Sequence, residues 1–488
     1  MPHPITRAQP PLEFIPPRFN PLVLQIGRSL LPFWLRWYKQ IRKVDIHNAD
    51  GLARLYEQFQ AGEVRFLIAF RHPTTSDPPC VANVLWNQIP RYAHQNGYSV
   101  ESPVHAHFVY DRGIPLWAGN FVGWLASTLG GTPIRRGSLD VIGLRSVRNL
   151  FADGQFPIAI APEGATNGHN EIVSPIEPGI AQFGFWCVED LRKANRSEPV
   201  MIVPLGIQYR YVEAPWKSLE SLMTQLELEM GLPPLSDPNT GDGMSQLADL
   251  QDGVEPTLEQ EKILYRRLYR MGEHLLSLME EFYRKYYRQI IETDLPKTDA
   301  SSDPSPPQTL HPSEANERLA KRLHVLLNAA LNVAEQSFDV KPKGNLSDRC
   351  RRVEQAGWNR IYRDDLKNTE SLSPVERGLA DLVAEEADLR IWHMRLVETF
   401  VSVTGKYVVE KPTVERFADT TLLVWKTVTQ ITGKSRIQRP DLGAQYAQIT
   451  VGEPLSVSDR WDAYQTNRRT AIAQLTHDLQ TALEAMIE

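Results

Sequence analysis

Four short apolar runs of β-strand length, at 64–70, 104–110, 156–161 and 200–209, recur between helix-like stretches in the first part of the chain. This alternation constrains the fold more than any other feature. Strands that are apolar on nearly every residue are buried on both faces, the habit of parallel strands joined by crossover helices. Residues 79–89, 142–151 and 179–192 carry helical patterns between the runs. The expected fold is α/β, a mostly parallel sheet flanked by helices, with functional groups in loops at the strand ends.

The run at 64–70 leads directly into Arg71-His72-Pro73-Thr74-Thr75-Ser76-Asp77. Of the 12 histidines, only His72 has an aspartate five positions later. An imidazole that takes a proton, with a carboxylate to fix its tautomer, is what turns a hydroxyl group into a nucleophile. A substrate that brings its own hydroxyl needs no Ser or Cys nucleophile from the protein.

Three further segments follow in order: Gly130-Gly131-Thr132-Pro133-Ile134-Arg135-Arg136-Gly137, then Ala161-Pro162-Glu163-Gly164-Ala165-Thr166, then Val203-Pro204-Leu205-Gly206. Together with His72 and Asp77 the set resembles the glycerolipid acyltransferase family, typified by 1-acylglycerol-3-phosphate acyltransferase. That family carries H-x4-D, a G-x-x-P-V-x-R-type block, F-P-E-G-T-R and a V-P-hydrophobic block; the resemblance spans about residues 60–212. Three departures bear on the acceptor. Ala161 stands where the family has Phe, Ala165-Thr166 where it has Thr-Arg, and Arg71 where it usually has Asn.

The resemblance implies acyl transfer from a thioester, acyl-CoA or acyl carrier protein, to a glycerol hydroxyl. The simplest acceptor is a lysophospholipid, 1-acylglycerol-3-phosphate, giving phosphatidic acid. His72 would be the general base, oriented by Asp77. Arg136 aligns with the family's phosphate-binding arginine, and its neighbour Arg135 could substitute. Glu163 and Gly164 would shape the acceptor pocket, and Pro204 would line core and acyl tunnel. Two other readings stand beside this one: an acyltransferase for another lysolipid or a non-phosphorylated alcohol, favoured by Thr166 in place of a cation, and a catalytically silent lipid-binding scaffold.

No cofactor and no metal site is expected, since the remaining histidines lack paired ligand spacing and His105 with His107 suits a structural pair. Cys80, Cys187 and Cys350 are too far apart for a disulfide framework, which points to a reducing compartment. A net charge of −6 argues against nucleic acid as a partner.

Residues 1–44 form a membrane-interface segment on this reading. Arg28, Arg36, Lys39, Arg42 and Lys43 stand among Leu24, Leu31, Phe33, Trp34, Leu35, Trp37 and Tyr38, with no acid between residue 21 and Asp45. Such a mixture suits an anionic headgroup layer, so a peripheral place on the cytoplasmic face of a membrane is expected. The uncharged stretch 114–134 contains Asn120, Ser127, Thr128 and four glycines, and suits a buried helix and turn rather than a span.

Residues 45–215 would form the first part of the acyltransferase domain. Residues 216–440 read as a helical insertion with a disordered linker at 294–313, rich in Pro, Ser and Asp. Its longest helix carries Leu264, Leu268, Met271, Leu275, Leu278, Phe282 and Tyr286 at alternating spacings of three and four, which reads as a helix-packing face. No internal repeat is visible. Tyr446, Ile449, Thr450 and Val451 then read as a strand stopped by Gly452-Glu453-Pro454, and a helix follows over about 458–486. Residues 441–488 would thus return to close the enzyme domain.

Overall fold

The computed structural model describes residues 6–135, 140–233, 247–291, 312–366, 372–401, 403, 405–434 and 439–487. Leu12–Val212 with Ala444–Glu488 forms one compact unit, and Met1–Pro11 with Glu213–Gly443 forms another.

The first unit is built on an eight-stranded sheet. Its strands are β1 (Ile41–His47), β2 (Arg65–Phe70), β3 (His107–Asp111), β4 (Thr132–Ile134), β5 (Ile158–Ile160), β6 (Val200–Tyr211), β7 (Gln445–Val451) and β8 (Leu455–Ser456). They run in the order β1-β7-β6-β2-β5-β3-β4, with β8 beside β6. Neighbours are parallel except where β7 and β8 meet β6. Helices α1 (Pro21–Trp37), α2 (Ala49–Gln60), α3 (Asp77–Asn83), α4 (Ile89–Asn96), α5 (Ile114–Ala118), α6 (Asn120–Thr128), α7 (Val141–Asp153), α8 (Gly179–Lys193), α16 (Trp461–Thr466) and α17 (Arg468–Glu484) accompany it.

Strand β2 shows why the sheet is covered on both sides. Phe66, Ile68 and Phe70 enter a core with α1 to α4, while Leu67 and Ala69 enter a second core with α7, α8, α16 and α17. Side chains alternate across a strand, so a run apolar at every position requires two apolar layers. In β6, likewise, Val203, Leu205, Ile207 and Tyr209 join the first core, and Val200 and Ile202 the second. The chain leaves this unit after Val212 and returns at Ala444, whose carbonyl accepts the Val212 amide at 2.9 Å. Exit and return are adjacent, and β7 enters the sheet that carries His72.

The second unit is helical: α9 (Trp216–Glu229), α10 (Leu258–Tyr287), α11 (Pro312–Phe338), α12 (Leu346–Ile361), α13 (Pro374–Phe400), α14 (Tyr407–Glu410) and α15 (Val414–Ile431). Capping boxes open three of them, at Thr257/Gln260, Asn345/Asp348 and Ser373/Glu376. A device not visible as a sequence repeat joins successive helices. Residues at i, i+4 and i+7 of one helix hold a buried arginine of the next. Glu220, Thr224 and Glu227 of α9 hold Arg267 of α10. Glu273, Ser277 and Glu280 of α10 hold Arg322 of α11. Asn328, Asn332 and Glu335 of α11 hold Arg349 of α12. The spacing of seven brings the two outer residues back to one face after two turns.

Four expectations need correction. Residues 1–44 are not one segment: Met1–Pro11 belongs with the helical unit, α1 packs Leu24 and Leu35 into the sheet's core, and β1 already begins at Ile41. The stretch 114–134 is not simply buried, since Phe121 and Trp124 are exposed. The closing helix is broken at Asn467, which is extended and caps Thr470. On α10, Leu278 and Tyr286 face solvent, whereas Met279 and Tyr283 are buried. The linker at 294–313 lies outside the described residues except for Pro312 and Ser313, which open α11.

Candidate active site

His72 stands just past the carboxyl end of β2, and Asp77 opens α3. Pro78 and Pro79 suit a first turn, where the missing N–H costs nothing, and the N-terminal dipole favours a carboxylate at Asp77. The His72 Nδ1 lies 2.9 Å from Asp77 Oδ2. Asp77 is fully buried, while 19 % of the His72 side chain is exposed. With Nδ1–H given to the carboxylate, Nε2 is the nitrogen that remains to accept a proton.

Three more donors fix the Asp77 carboxylate. The Thr74 amide reaches Oδ2 at 2.8 Å, and the Thr74 hydroxyl and the Tyr209 hydroxyl reach Oδ1 at 3.2 and 2.5 Å. Tyr209 comes from β6, and Asn170 clamps its backbone from both sides, at 2.6 Å in each direction. Cys80, one turn into α3, sits 3.7 Å from the Tyr209 oxygen. Burial, then the nearby Asp77 charge, pushes its thiol far above the ordinary range, so it is an inert core thiol.

Glu163 lies behind His72, in the loop after β5. Its Oε1 accepts the His72 amide at 2.8 Å, and its Oε2 accepts Asn167 Nδ2 and the Ser174 amide, each at 2.9 Å. The carboxylate is buried and acts on His72 through the backbone. Gly164 follows with φ +73°, a left-handed turn that favours glycine. Its amide bonds back to the Ala161 carbonyl at 3.3 Å. Arg71, where the resembling family usually has Asn, is fully buried and gathers this loop. Its guanidinium donates to the carbonyls of Asn170 and Ile172 at 2.7 and 2.6 Å, and to those of His169 and Ile207 at 3.3 Å. Arg71 Nε is 3.9 Å from Glu163 Oε1.

The turn before β4 is held by the two histidines of the 104–110 run. Trp86 donates to His105 Nδ1 at 2.8 Å, and His105 Nε2 in turn meets the Leu129 carbonyl at 2.7 Å. Indole is a donor only, so His105 carries its proton on Nε2. Burial lowers its pKa to about 4. His107 Nδ1 meets the Gly130 carbonyl at 2.7 Å. Both are structural. Beyond β4 the Arg135 amide donates to Asp140 at 2.8 Å, and Asp140 also pairs with Arg112 at 2.6 Å. Arg136 lies outside the described residues.

His72, Asp77 and Glu163 are therefore gathered at the carboxyl ends of adjacent strands β2 and β5, and Arg135 follows β4 in the same sheet. Pro204 is not part of this cluster. By the alternation along β6 it shares the face of Ile202, opposite Tyr209, and it lies against Gly452. It takes a packing position there. Tyr209, Thr74, Asn167 and Asn170 escaped the sequence reading. Only Thr74 had a local signal, a hydroxyl three residues before Asp77. Among the described residues no group of His, Cys, Asp and Glu could hold a metal ion. No protein-family model matches the chain, and no curated protein matches it at a significant level.

Proposed function

We propose that the chain is an acyltransferase that moves a fatty acyl group from a thioester donor, acyl-CoA or acyl carrier protein, to an alcohol. One observation carries this reading: a partly exposed imidazole whose Nδ1 is engaged by a buried carboxylate that three further donors hold in place. Nε2 of His72 removes the proton of the acceptor hydroxyl as its oxygen attacks the thioester carbonyl. The tetrahedral intermediate collapses with cleavage of the C–S bond, and the imidazolium returns the proton to the departing thiolate. Asp77 holds the tautomer and stabilises the imidazolium between these steps. The protein needs no nucleophile of its own.

The preferred acceptor is 1-acylglycerol-3-phosphate, with Arg135 and Arg136 on its phosphate and phosphatidic acid as product. Thr166, where the resembling family has arginine, favours a neutral alcohol as the second reading. Purified protein incubated with an acyl donor and a panel of lysophospholipids and neutral alcohols, followed by mass spectrometry of the lipid extract, tests both. A new ester that His72→Ala does not make supports the proposal, and no ester with any acceptor and either donor contradicts it.

A further inference from the structure

Helix α1 has two apolar faces, and the fold uses only one. Leu24, Gly27, Leu31 and Leu35 form the inner face. Leu24 and Leu35 are buried, Leu31 packs against the same core, and Gly27 lies against the Trp86 ring. Leu22, Ile26, Leu30, Phe33 and Trp37 recur at helical spacing on the other side and are 60–72 % exposed. Asn20 caps the helix through the amides of Leu22 and Val23, and Arg28 bonds Asn87, so the outer face is presented by a fixed helix.

A second apolar surface is tied to it. On α5 and α6, Leu116, Phe121 and Trp124 are 48, 68 and 50 % exposed. The chain entering α1 is bonded to the end of α6: the Arg18 and Asn20 amides donate to the carbonyls of Ser127 and Thr128, both at 2.8 Å, and Ser127 Oγ donates to the Pro16 carbonyl at 2.6 Å. The start of α1 and the end of α6 are thus stapled together.

Charge identifies the occupant. Residues 14–44 contain Arg18, Arg28, Arg36, Lys39, Arg42 and Lys43 and no acid, in a chain whose net charge is −6. At the end of α1, Trp34 stacks on Tyr38 at 5.7 Å, and Lys39 Nζ stands 5.4 Å from the Trp34 ring centre. Indole and phenol rings beside cations fit the boundary between acyl chains and anionic headgroups. No helix among the described residues is long and apolar enough to cross a membrane. A 17-residue amphipathic helix, roughly 25 Å long, has the form of one that lies in an interface plane.

We propose that the outer face of α1 and the α5–α6 pair together dock this unit on an anionic bilayer. Docking at this surface does not depend on acyl transfer. Truncating the N-terminus would not test it, because α1 and β1 belong to the core.

The test is co-sedimentation of the full chain, without substrate, with vesicles of phosphatidylcholine alone or mixed with phosphatidylglycerol. The altered side chains are exposed, so thermal melts of the variants should match the parent. The full chain should sediment with the mixed vesicles and much less with phosphatidylcholine, and salt should release it. Phe33→Ser/Trp37→Ser and Phe121→Ser/Trp124→Ser should each lower partitioning at least ~10-fold. Three results would overturn the proposal: no sedimentation with the mixed vesicles, unchanged partitioning in either double variant, or a dimer in solution that Phe33→Ser/Trp37→Ser dissolves while vesicle binding persists.

Discussion

Tyr209 donates its hydroxyl proton to Oδ1 of Asp77 across 2.5 Å, on the carboxylate oxygen that His72 does not use. The two residues are 132 positions apart, joined because β6 lies beside β2 in the sheet. Tyr209 is a positioning residue for the His72–Asp77 pair.

Tyr209→Phe removes this donor and little volume. The carboxylate then keeps Thr74 and His72 but loses its tie to β6. We expect kcat to fall roughly tenfold, about the worth of one hydrogen bond to a charged group, with KM for the acceptor unchanged. Steady-state kinetics on a variant with an unaltered melt check this. Equal losses in kcat and kcat/KM fit the positioning role; a change confined to KM contradicts it.

The buried histidines set a pH dependence of stability. Burial depresses the pKa of His105 to about 4, and desolvation acts the same way on His393 in the helical unit, also to about 4, against an ordinary value of 6.5. Below pH 6.5 the unfolded chain takes up protons that the folded chain refuses until about pH 4. Stability is therefore full above pH 6.5 and is lost as pH falls through that window, by up to ~3 kcal/mol for each group. Thermal melts between pH 7 and 4 should show Tm falling with acid, and His105→Gln should flatten the fall in the sheet unit. A Tm slope identical to the parent's would remove His105 from the account.

Arg267 is fully buried with Glu220 and Glu227. Arg267→Met leaves Glu227 without its cation and Glu220 with only the half-exposed Lys217, at a cost of about 3–5 kcal/mol. Adding Glu220→Gln and Glu227→Gln should recover much of it. The exposed Lys262–Glu259 pair is the control, and Lys262→Ala should change stability by less than ~1 kcal/mol. Denaturant unfolding of the helical unit reads all three variants.

The α/β character was legible because its signal is local. Burial on both faces leaves β2 with no polar residue after Arg65, and Tyr446, Ile449, Thr450 and Val451 mark β7. The His72–Asp77 pair was legible for the same reason, lying within one turn. What was hidden depends on residues brought together from afar. Tyr209 and Asn170 look like ordinary strand and loop residues. Arg71 read as a departure from a motif until its four carbonyl partners were in view. Pro204 stood in a functional-looking block, yet strand alternation turns it to the other face. The arginine clamps carry no repeat because only three positions per helix are constrained, and even these vary from Glu to Asn.

Arg135 and Arg136 follow β4 and are the proposed phosphate contacts. Replacing both with Ala should raise KM for a phosphorylated acceptor roughly 10-fold or more, the worth of a charge-assisted contact. Turnover of a neutral acceptor should be little changed. If the two acceptors respond alike, the phosphate is held elsewhere.

Acyl transfer as proposed requires His72 to act as a base on an acceptor hydroxyl. Its most direct test is ester formation from an acyl thioester and an alcohol acceptor by the purified chain beside His72→Ala. Turnover is expected from the parent, with a loss of ~10²–10⁴-fold in the variant and matching melts for the two proteins. Near-normal turnover by His72→Ala would contradict it.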